Sequence, residues 1–150
     1  MPDQTILELL PHREPFLFLD TVEELTKDRI RALRLLKADE FYFQGHYPGY
    51  PLMPGVLLCE AVLQAGAALI SFRNQGYEKD MSASLPVVTR LKDVKFKRQV
   101  RPGDTLEIES ELTEQLANAY YLKGTVKVAG KTALYLEFSV ASVKPREETA

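Results

Sequence analysis

Residues 53–72 read MPGVLLCEAVLQAGAALISF, an almost uninterrupted apolar stretch. At about 1.5 Å per residue, a helix of this length could cross a hydrocarbon layer of about 30 Å. Glu60 and Gln64 lie in the middle of the stretch, however, where an unpaired carboxylate in lipid is costly. The flanking sequence is typical of β-strands, and no second stretch of this kind follows. We therefore predict a helix buried inside a folded protein, with no membrane span.

The residues around this helix indicate where it begins and ends. Pro54 suits the first helical position, where its missing N–H costs nothing, and Gly76 lies just beyond the predicted end near Asn74. Apolar side chains cover almost every direction around the helix axis, which is typical of a helix that protein surrounds.

The rest of the chain predicts mainly strands. Strand-like sequence over 16–36, with a polar break at 26–28, follows a short helix over 5–10, and a loop rich in proline and glycine covers 39–54. The later strands are predicted at 87–100, 105–116, 120–128 and 132–143, with a hairpin at Ala129-Gly130.

About five antiparallel strands can therefore wrap one long central helix. This is an α+β architecture in a single domain over residues 1–150, in which 144–150 form a flexible tail. The many strand edges in so small a protein favour a dimer with a continuous shared sheet.

The composition excludes several classes of protein. A net charge of -2 argues against a nucleic-acid binder, and the single cysteine, Cys59, excludes an internal disulfide framework. The N-terminus lacks the basic and apolar regions of a secretory signal. We expect a cytoplasmic protein.

Glu60 and Gln64 are four residues apart and so share one face of the helix. Burial among apolar neighbours should raise the pKa of the Glu60 carboxyl, which suits a general acid. A carboxyl that only reaches a surface or helix-end partner fits the same pattern, and helix physics alone does not separate these readings.

His46 lies in the proline- and glycine-rich loop, within GHYPGYPLMPG. A rigid backbone on both sides holds a side chain in one orientation, and histidine exchanges protons near neutral pH. A packed or solvated loop histidine is the alternative for His46, whereas His12 is interpreted as structural. Gly55, in the first helical turn, could offer backbone N–H groups to a carbonyl oxygen, or could be required only for close packing.

The stretch GHYPGYPLMPGVLLCEAVLQ resembles the motif of the FabZ-type 3-hydroxyacyl-acyl-carrier-protein dehydratases. Their pattern is a Gly-His-aromatic-Pro-Gly-x-Pro-x-Met-Pro-Gly-Val run followed by a Glu-Ala-x-x-Gln step. LPHREPFLFLD and VKFKRQVRPGD resemble two further blocks in the expected order, so the similarity spans roughly residues 8–140.

The resemblance implies the hot-dog fold and a hydro-lyase that converts a (3R)-3-hydroxyacyl thioester on acyl carrier protein to the trans-2-enoyl thioester in fatty acid biosynthesis. It implies that His46 and Glu60, from opposite subunits, are catalytic, that the Gly55 amide binds the thioester, and that Gln64 orients Glu60. It also implies a homodimer, which often assembles into a trimer of dimers, with no metal and no organic cofactor. Glu60 favours the FabZ type because the related isomerising dehydratases have aspartate there.

Four positions differ from the usual pattern. Tyr50 replaces a small polar residue, Val87 and Val88 replace aromatics, and Arg90 replaces glycine. These changes leave the catalytic pair intact but put the shape of the acyl tunnel in doubt. A hot-dog thioesterase and a non-catalytic acyl-thioester-binding protein are the alternative functions.

Lysine and arginine residues are frequent from residue 90 to residue 101. Lys95, Lys97, Arg98 and Arg101 are candidates for docking an acidic acyl carrier protein, and strand alternation would put Lys95, Lys97 and Arg101 on one face. An ordinary solvated sheet face is an equally good interpretation.

Overall fold

The computed structural model describes residues 2–77, 79–80 and 82–146. Three helices and six strands follow one another along the chain. They are α1 (Gln4–Leu9), β1 (Thr21–Leu25), β2 (Arg29–Leu35), α2 (Phe41–Gln44), α3 (Gly55–Arg73), β3 (Leu85–Phe96), β4 (Thr105–Leu116), β5 (Ala119–Val128) and β6 (Lys131–Val143).

The strands form one antiparallel sheet in the order β1-β2-β4-β5-β6-β3, and α3 packs against it. The helix lies close to the sheet at Gly124, where a Cβ atom would lie 2.3 Å from the Val62 side chain. Ser110 donates a hydrogen bond of 2.7 Å to the Val62 carbonyl at the same point. The predicted α+β architecture, one long helix wrapped by an antiparallel sheet, is confirmed.

Helix α3 is apolar enough to cross a membrane, but most of its residues are buried inside the protein. One stripe is less covered and consists of Val56, Glu60, Leu63 and Ala67. Val56 is 73% exposed. Within one chain the sheet and α1 cover most of the helix, and the stripe that carries Glu60 is left less covered.

The predicted hairpin at Ala129-Gly130 is confirmed. The two residues have φ values of 50° and 76°, and they join β5 to β6. Two positive φ values in a two-residue loop are typical of the type I′ turn, whose twist matches that of paired strands.

The interpretation of residues 39–54 as loop alone was wrong, because α2 lies within this range. Buried Tyr42 and Phe43 hold the short helix against the core. The strand predicted over 87–100 ends at Phe96, after an irregularity at Asp93, whose φ is 53°. Of the predicted tail, residues 144–146 follow β6 without regular structure, and 147–150 lie outside the described residues.

Candidate functional site

The loop between α2 and α3 contains a tight turn directly after His46. The amide of Tyr50 donates to the Tyr47 carbonyl over 2.8 Å, and Gly49 has a φ of 85°. Proline at the second position and a positive φ at the third are typical of a type II turn. Tyr47 itself has a φ of 58°, an uncommon backbone state for a bulky residue. The turn fixes the direction in which the chain leaves His46.

The His46 ring is held by the same loop. Its Nδ1 lies 2.8 Å from the Leu52 carbonyl oxygen, which can only accept a hydrogen bond. Nδ1 therefore carries the proton in the neutral ring, and Nε2 keeps a lone pair. The Tyr47 ring stacks at a tilt beside the imidazole, with 4.5 Å between centroids. His46 is thus half-buried and set up to accept a proton at Nε2.

A charged cluster that the sequence interpretation missed precedes this loop. Arg34 is only 6% exposed and pairs with Glu40, the residue before α2, and with Asp20 at 3.0 Å. The Tyr42 hydroxyl donates to the same Glu40 over 2.5 Å. Arg34 faces the core on the same side of β2 as Ile30 and Ala32. An arginine in the alternating apolar pattern of this strand was the feature of the sequence that could have predicted a buried ion pair.

Glu60 lies half-buried on the less covered stripe of α3. Burial raises the pKa of its carboxyl, and the hydrogen bond from Gln64 lowers it by a smaller amount. The carboxyl therefore retains its proton to higher pH than an exposed glutamate does. This agrees with the environment predicted from the apolar helix.

Gln64 fixes the position of this carboxyl. Its side chain is 1% exposed, and its Nε2 donates to Glu60 over 2.9 Å and to the Phe16 carbonyl over 3.0 Å. Its Oε1 accepts from the Phe18 amide over 2.8 Å. One amide thus uses both donors and its acceptor, tying Glu60 to the segment before β1.

Gly55 begins α3 directly after Pro54. The Leu57 and Leu58 amides both donate to the Pro54 carbonyl, so the earlier amides at 55 and 56 have no intrahelical acceptor. A Cβ atom at Gly55 would lie 2.7 Å from the Phe96 ring. Close packing against Phe96 accounts for the absence of a side chain at this position. The Gly55 amide, which has no acceptor within the helix, is free of helical hydrogen bonding, as a donor to a carbonyl oxygen must be.

His46 and Glu60 are not joined by a hydrogen bond within one chain. Among the bonds of residues 2–77, 79–80 and 82–146, His46 contacts Leu52 and Glu60 contacts Gln64. Each of the two side chains is therefore held by its own neighbours, without a hydrogen bond to the other.

The predicted docking cations Lys95, Lys97, Arg98 and Arg101 are all exposed. Arg101 is fixed most firmly, because its guanidinium lies 4.6 Å from the centre of the Tyr50 ring and donates to the Tyr50 hydroxyl. That hydroxyl in turn donates to Gln99 over 3.0 Å. Tyr50, which differs from the motif, therefore links the His46 loop to this cationic region.

Comparison with known proteins gives consistent matches. The FabA-like domain family matches residues 10–137. The 3-hydroxyacyl-[acyl-carrier-protein] dehydratase FabZ of Clostridium perfringens is 43% identical over 128 residues, which are 85% of this chain and 88% of the relative. The FabZ of Aromatoleum aromaticum is 42% identical over 137 residues, 91% of this chain and 93% of its own.

Among solved structures, the dehydratase heterocomplex ApeI:P from Xenorhabdus doucetiae aligns with a TM-score of 0.77 at 16% identity. The alignment covers 98% of this chain and 93% of the other. The predicted hot-dog fold is thereby confirmed.

Proposed function

Because the chain belongs to the FabA-like domain family and to its FabZ-type 3-hydroxyacyl-[acyl-carrier-protein] dehydratases, we propose that it dehydrates (3R)-3-hydroxyacyl-acyl-carrier-protein with His46 and Glu60 as the catalytic residues. The observation that carries the assignment is the Glu60 carboxyl. It is the acidic group on α3, Gln64 holds it in place, and burial raises its pKa. The reaction belongs to fatty acid biosynthesis, and we place it in the cytoplasm.

The thioester acidifies the α-carbon, so His46 Nε2 removes an α-proton while negative charge develops on the thioester oxygen. The backbone amide of Gly55, at the positive end of α3, donates to that oxygen. The protonated Glu60 gives its proton to the 3-hydroxyl, which leaves as water as the C–O bond breaks and the trans-2 double bond forms. Proton transfer from His46⁺ to Glu60 restores the starting state. In an alternative scheme His46 carries both protons.

Two subunits supply the two groups. His46 and Glu60 have separate partners within one chain, and the stripe that carries Glu60 is left less covered by its own sheet. Strand β3 is at one edge of the sheet and exposes Val88, Leu91 and Phe96, which a second copy would cover. A symmetric dimer joined along β3 then contains two sites, and three such dimers make the hexamer that the resemblance implies.

The assay that tests this function starts from a crotonyl thioester of coenzyme A or pantetheine. Hydration removes the enoyl absorbance and yields the 3-hydroxyacyl thioester, which is the expected result. Release of free thiol would indicate a thioesterase, and an unchanged thioester would indicate a non-catalytic binding protein.

The carrier-protein partner is tested by charge reversal in the cationic region. Lys97→Glu with Arg101→Glu should weaken turnover of carrier-bound substrate severalfold and more strongly at low salt, because exposed charges steer an acidic partner. Turnover of a pantetheine thioester should change little. The matched control is Lys27→Glu, an exposed lysine in the β1–β2 turn at the opposite edge of the sheet. Equal losses on both substrates would contradict the docking role.

A further inference from the structure

Helix α2 leads directly into the His46 loop and is too short to hold its own position. It consists of four residues, and only Gly45 separates it from His46. A single helical turn is unstable by itself, because it fixes several residues for about one hydrogen bond. The side chain of Glu40, the residue before the helix, does not cap it. The position of α2, and with it the N-terminal side of the His46 loop, therefore depends on contacts with the rest of the protein.

The Glu40 carboxylate makes the polar part of these contacts. Its Oε1 accepts a hydrogen bond from the Arg34 guanidinium. Its Oε2 accepts from the Lys37 amide over 3.1 Å and from the Tyr42 hydroxyl over 2.5 Å. Burial raises the pKa of Tyr42 to about 12, so this hydroxyl keeps its proton and acts as the donor. Both carboxylate oxygens are thus occupied at the point where α2 begins.

Arg34 connects Glu40 to a segment that is fixed independently of α2. Its guanidinium also donates to the Asp20 carboxylate over 3.0 Å. The Asp20 amide in turn donates to the Leu33 carbonyl over 2.7 Å, and residues 17–19 before it are completely buried. One guanidinium therefore ties the beginning of α2 to the well-packed segment before β1.

The chemistry of this cluster suits the fixing of a direction. The Arg34 side chain is 7% exposed, and its Nε is buried without a hydrogen-bond partner among the described residues. Removal of charges from water costs free energy, so a buried ion pair often stabilises a fold no more than apolar side chains of the same volume do. Bonds between a planar guanidinium and carboxylates are, however, short and directional. Such bonds hold an attached segment in one orientation.

We propose that Arg34 is a positioning residue for the dehydration, which acts through Glu40 and α2 to hold the His46 ring where its Nε2 reaches the α-proton. The inference rests on the proposed function, since His46 must be the base. Arg34 is buried between carboxylates and so acts through His46 and not on the substrate. Glu60 is held separately by Gln64, which bonds to the backbone before β1. Loss of Arg34 should therefore displace His46 and leave the Glu60 of the same chain in place.

The first test compares kcat with KM for a 3-hydroxybutyryl thioester of pantetheine. Arg34→Met should lower kcat by about 10- to 100-fold and change KM by less than about twofold, because a displaced base slows the reaction of a substrate that still binds. Arg34→Lys keeps the charge without the planar fork and should recover part of the loss. The matched control is Arg31→Met in the same strand, where the arginine pairs with Glu23 over 3.3 Å and both side chains are 42% exposed. This control should keep the wild-type kcat, and a folded Arg34→Met protein with the wild-type kcat would overturn the inference.

Tyr42→Phe tests the same connection if Arg34→Met does not fold. It removes one hydrogen bond to Glu40 and retains the ring, which packs edge-to-face on Phe18 with 5.9 Å between centroids. The variant should fold, and its kcat should fall severalfold at unchanged KM. A folded Tyr42→Phe protein with the wild-type kcat would show that the bonds of Glu40 do not position His46, which also overturns the inference.

Mixed dimers distinguish positioning from a general loss of stability. When His46→Ala and Glu60→Gln chains combine, the complete site takes His46 from the Glu60→Gln chain and Glu60 from the His46→Ala chain. Arg34→Lys on the Glu60→Gln chain should lower the recovered activity by the factor seen in the Arg34→Lys homodimer, whereas on the His46→Ala chain it should have no effect. Equal losses from both placements would show that Arg34 only stabilises its chain and would overturn the inference.

The two proposals can fail separately. If the mixture without Arg34→Lys recovers no activity, the shared site of the proposed function is wrong, and kcat of the Arg34 and Tyr42 variants still decides the inference. If the wild-type protein dehydrates no 3-hydroxyacyl thioester, the proposed function fails, and the inference fails with it.

Discussion

At the middle of α3 the Gln64 amide uses both donors and its acceptor, whereas about two turns away the Ser71 hydroxyl has no partner among the described residues. We call these regions the catalytic region, with His46, Glu60 and Gln64, and the distal region, with Ser71 of α3 and His12, which follows α1. Groups that must hold one geometry are saturated by the protein itself. The Ser71 hydroxyl and the Nδ1 atom of His12 are buried without such partners among the described residues. The difference separates groups that the protein holds in place from groups that it leaves unpaired.

Removal of the His46 ring should have the largest effect on the catalytic region. His46→Ala should reduce kcat/KM for a short thioester by about 10²- to 10⁴-fold, because it removes the base that takes the α-proton. The folded state should persist, since the ring contributes one hydrogen bond to a half-buried loop. Circular dichroism checks the fold and steady-state kinetics the rate. Near wild-type turnover by a folded variant would remove His46 from the mechanism.

Glu60→Gln should lose activity of similar order, which also tests whether His46 can carry both protons. If each site combines His46 of one subunit with Glu60 of the other, a verified equal mixture of His46→Ala and Glu60→Gln protein should regain about a quarter of wild-type activity. Half of the dimers are then mixed, and one of the two sites in each is complete. Absence of recovery in confirmed heterodimers would place both groups in one subunit.

The contrast in hydrogen bonding predicts that removing the Gln64 amide lowers the free energy of unfolding more than removing the Ser71 hydroxyl does. Gln64→Leu should lower the free energy of unfolding by about 2–4 kcal/mol, because it leaves the Phe18 amide and the Phe16 carbonyl without their partner. It should also lower kcat, since Glu60 loses its fixed position.

Ser71→Ala should change the unfolding free energy by less than about 1 kcal/mol, because its hydroxyl has no bond to lose. Denaturant titration measures both variants. Equal losses of unfolding free energy would mean that Gln64 and Ser71 do not differ in the way described.

The sequence predicted the helix, the antiparallel strands and the neighbourhood of Glu60 because these depend on local periodicity and on burial. It did not predict α2, since four residues held by the core contacts of Tyr42 and Phe43 have no helical period of their own. The Arg34 cluster depends on Asp20 and Glu40, which meet it only when β2 and the loop fold together. A cavity also lies between α1 and the end of α3, two elements that are distant in the sequence and that no motif brings together.

The smallest expected effect concerns protonation, because burial favours the neutral forms of Glu60 on α3 and of His12 after α1, and the two groups act in different pH windows. Burial raises the pKa of Glu60 above its ordinary 4.5, so from pH 4.5 upward to the folded pKa the native state binds more protons than the unfolded state, and the stability contributed by this group falls as pH rises. Burial lowers the pKa of His12 below its ordinary 6.5, so below pH 6.5 the unfolded state binds more protons, and stability falls as pH decreases. Unfolding free energies measured from pH 4 to 8 should therefore show that Glu60→Gln gains on the wild type with rising pH, and His12→Asn gains with falling pH. If either difference is independent of pH, or has the opposite sign, that group is solvated in the native state.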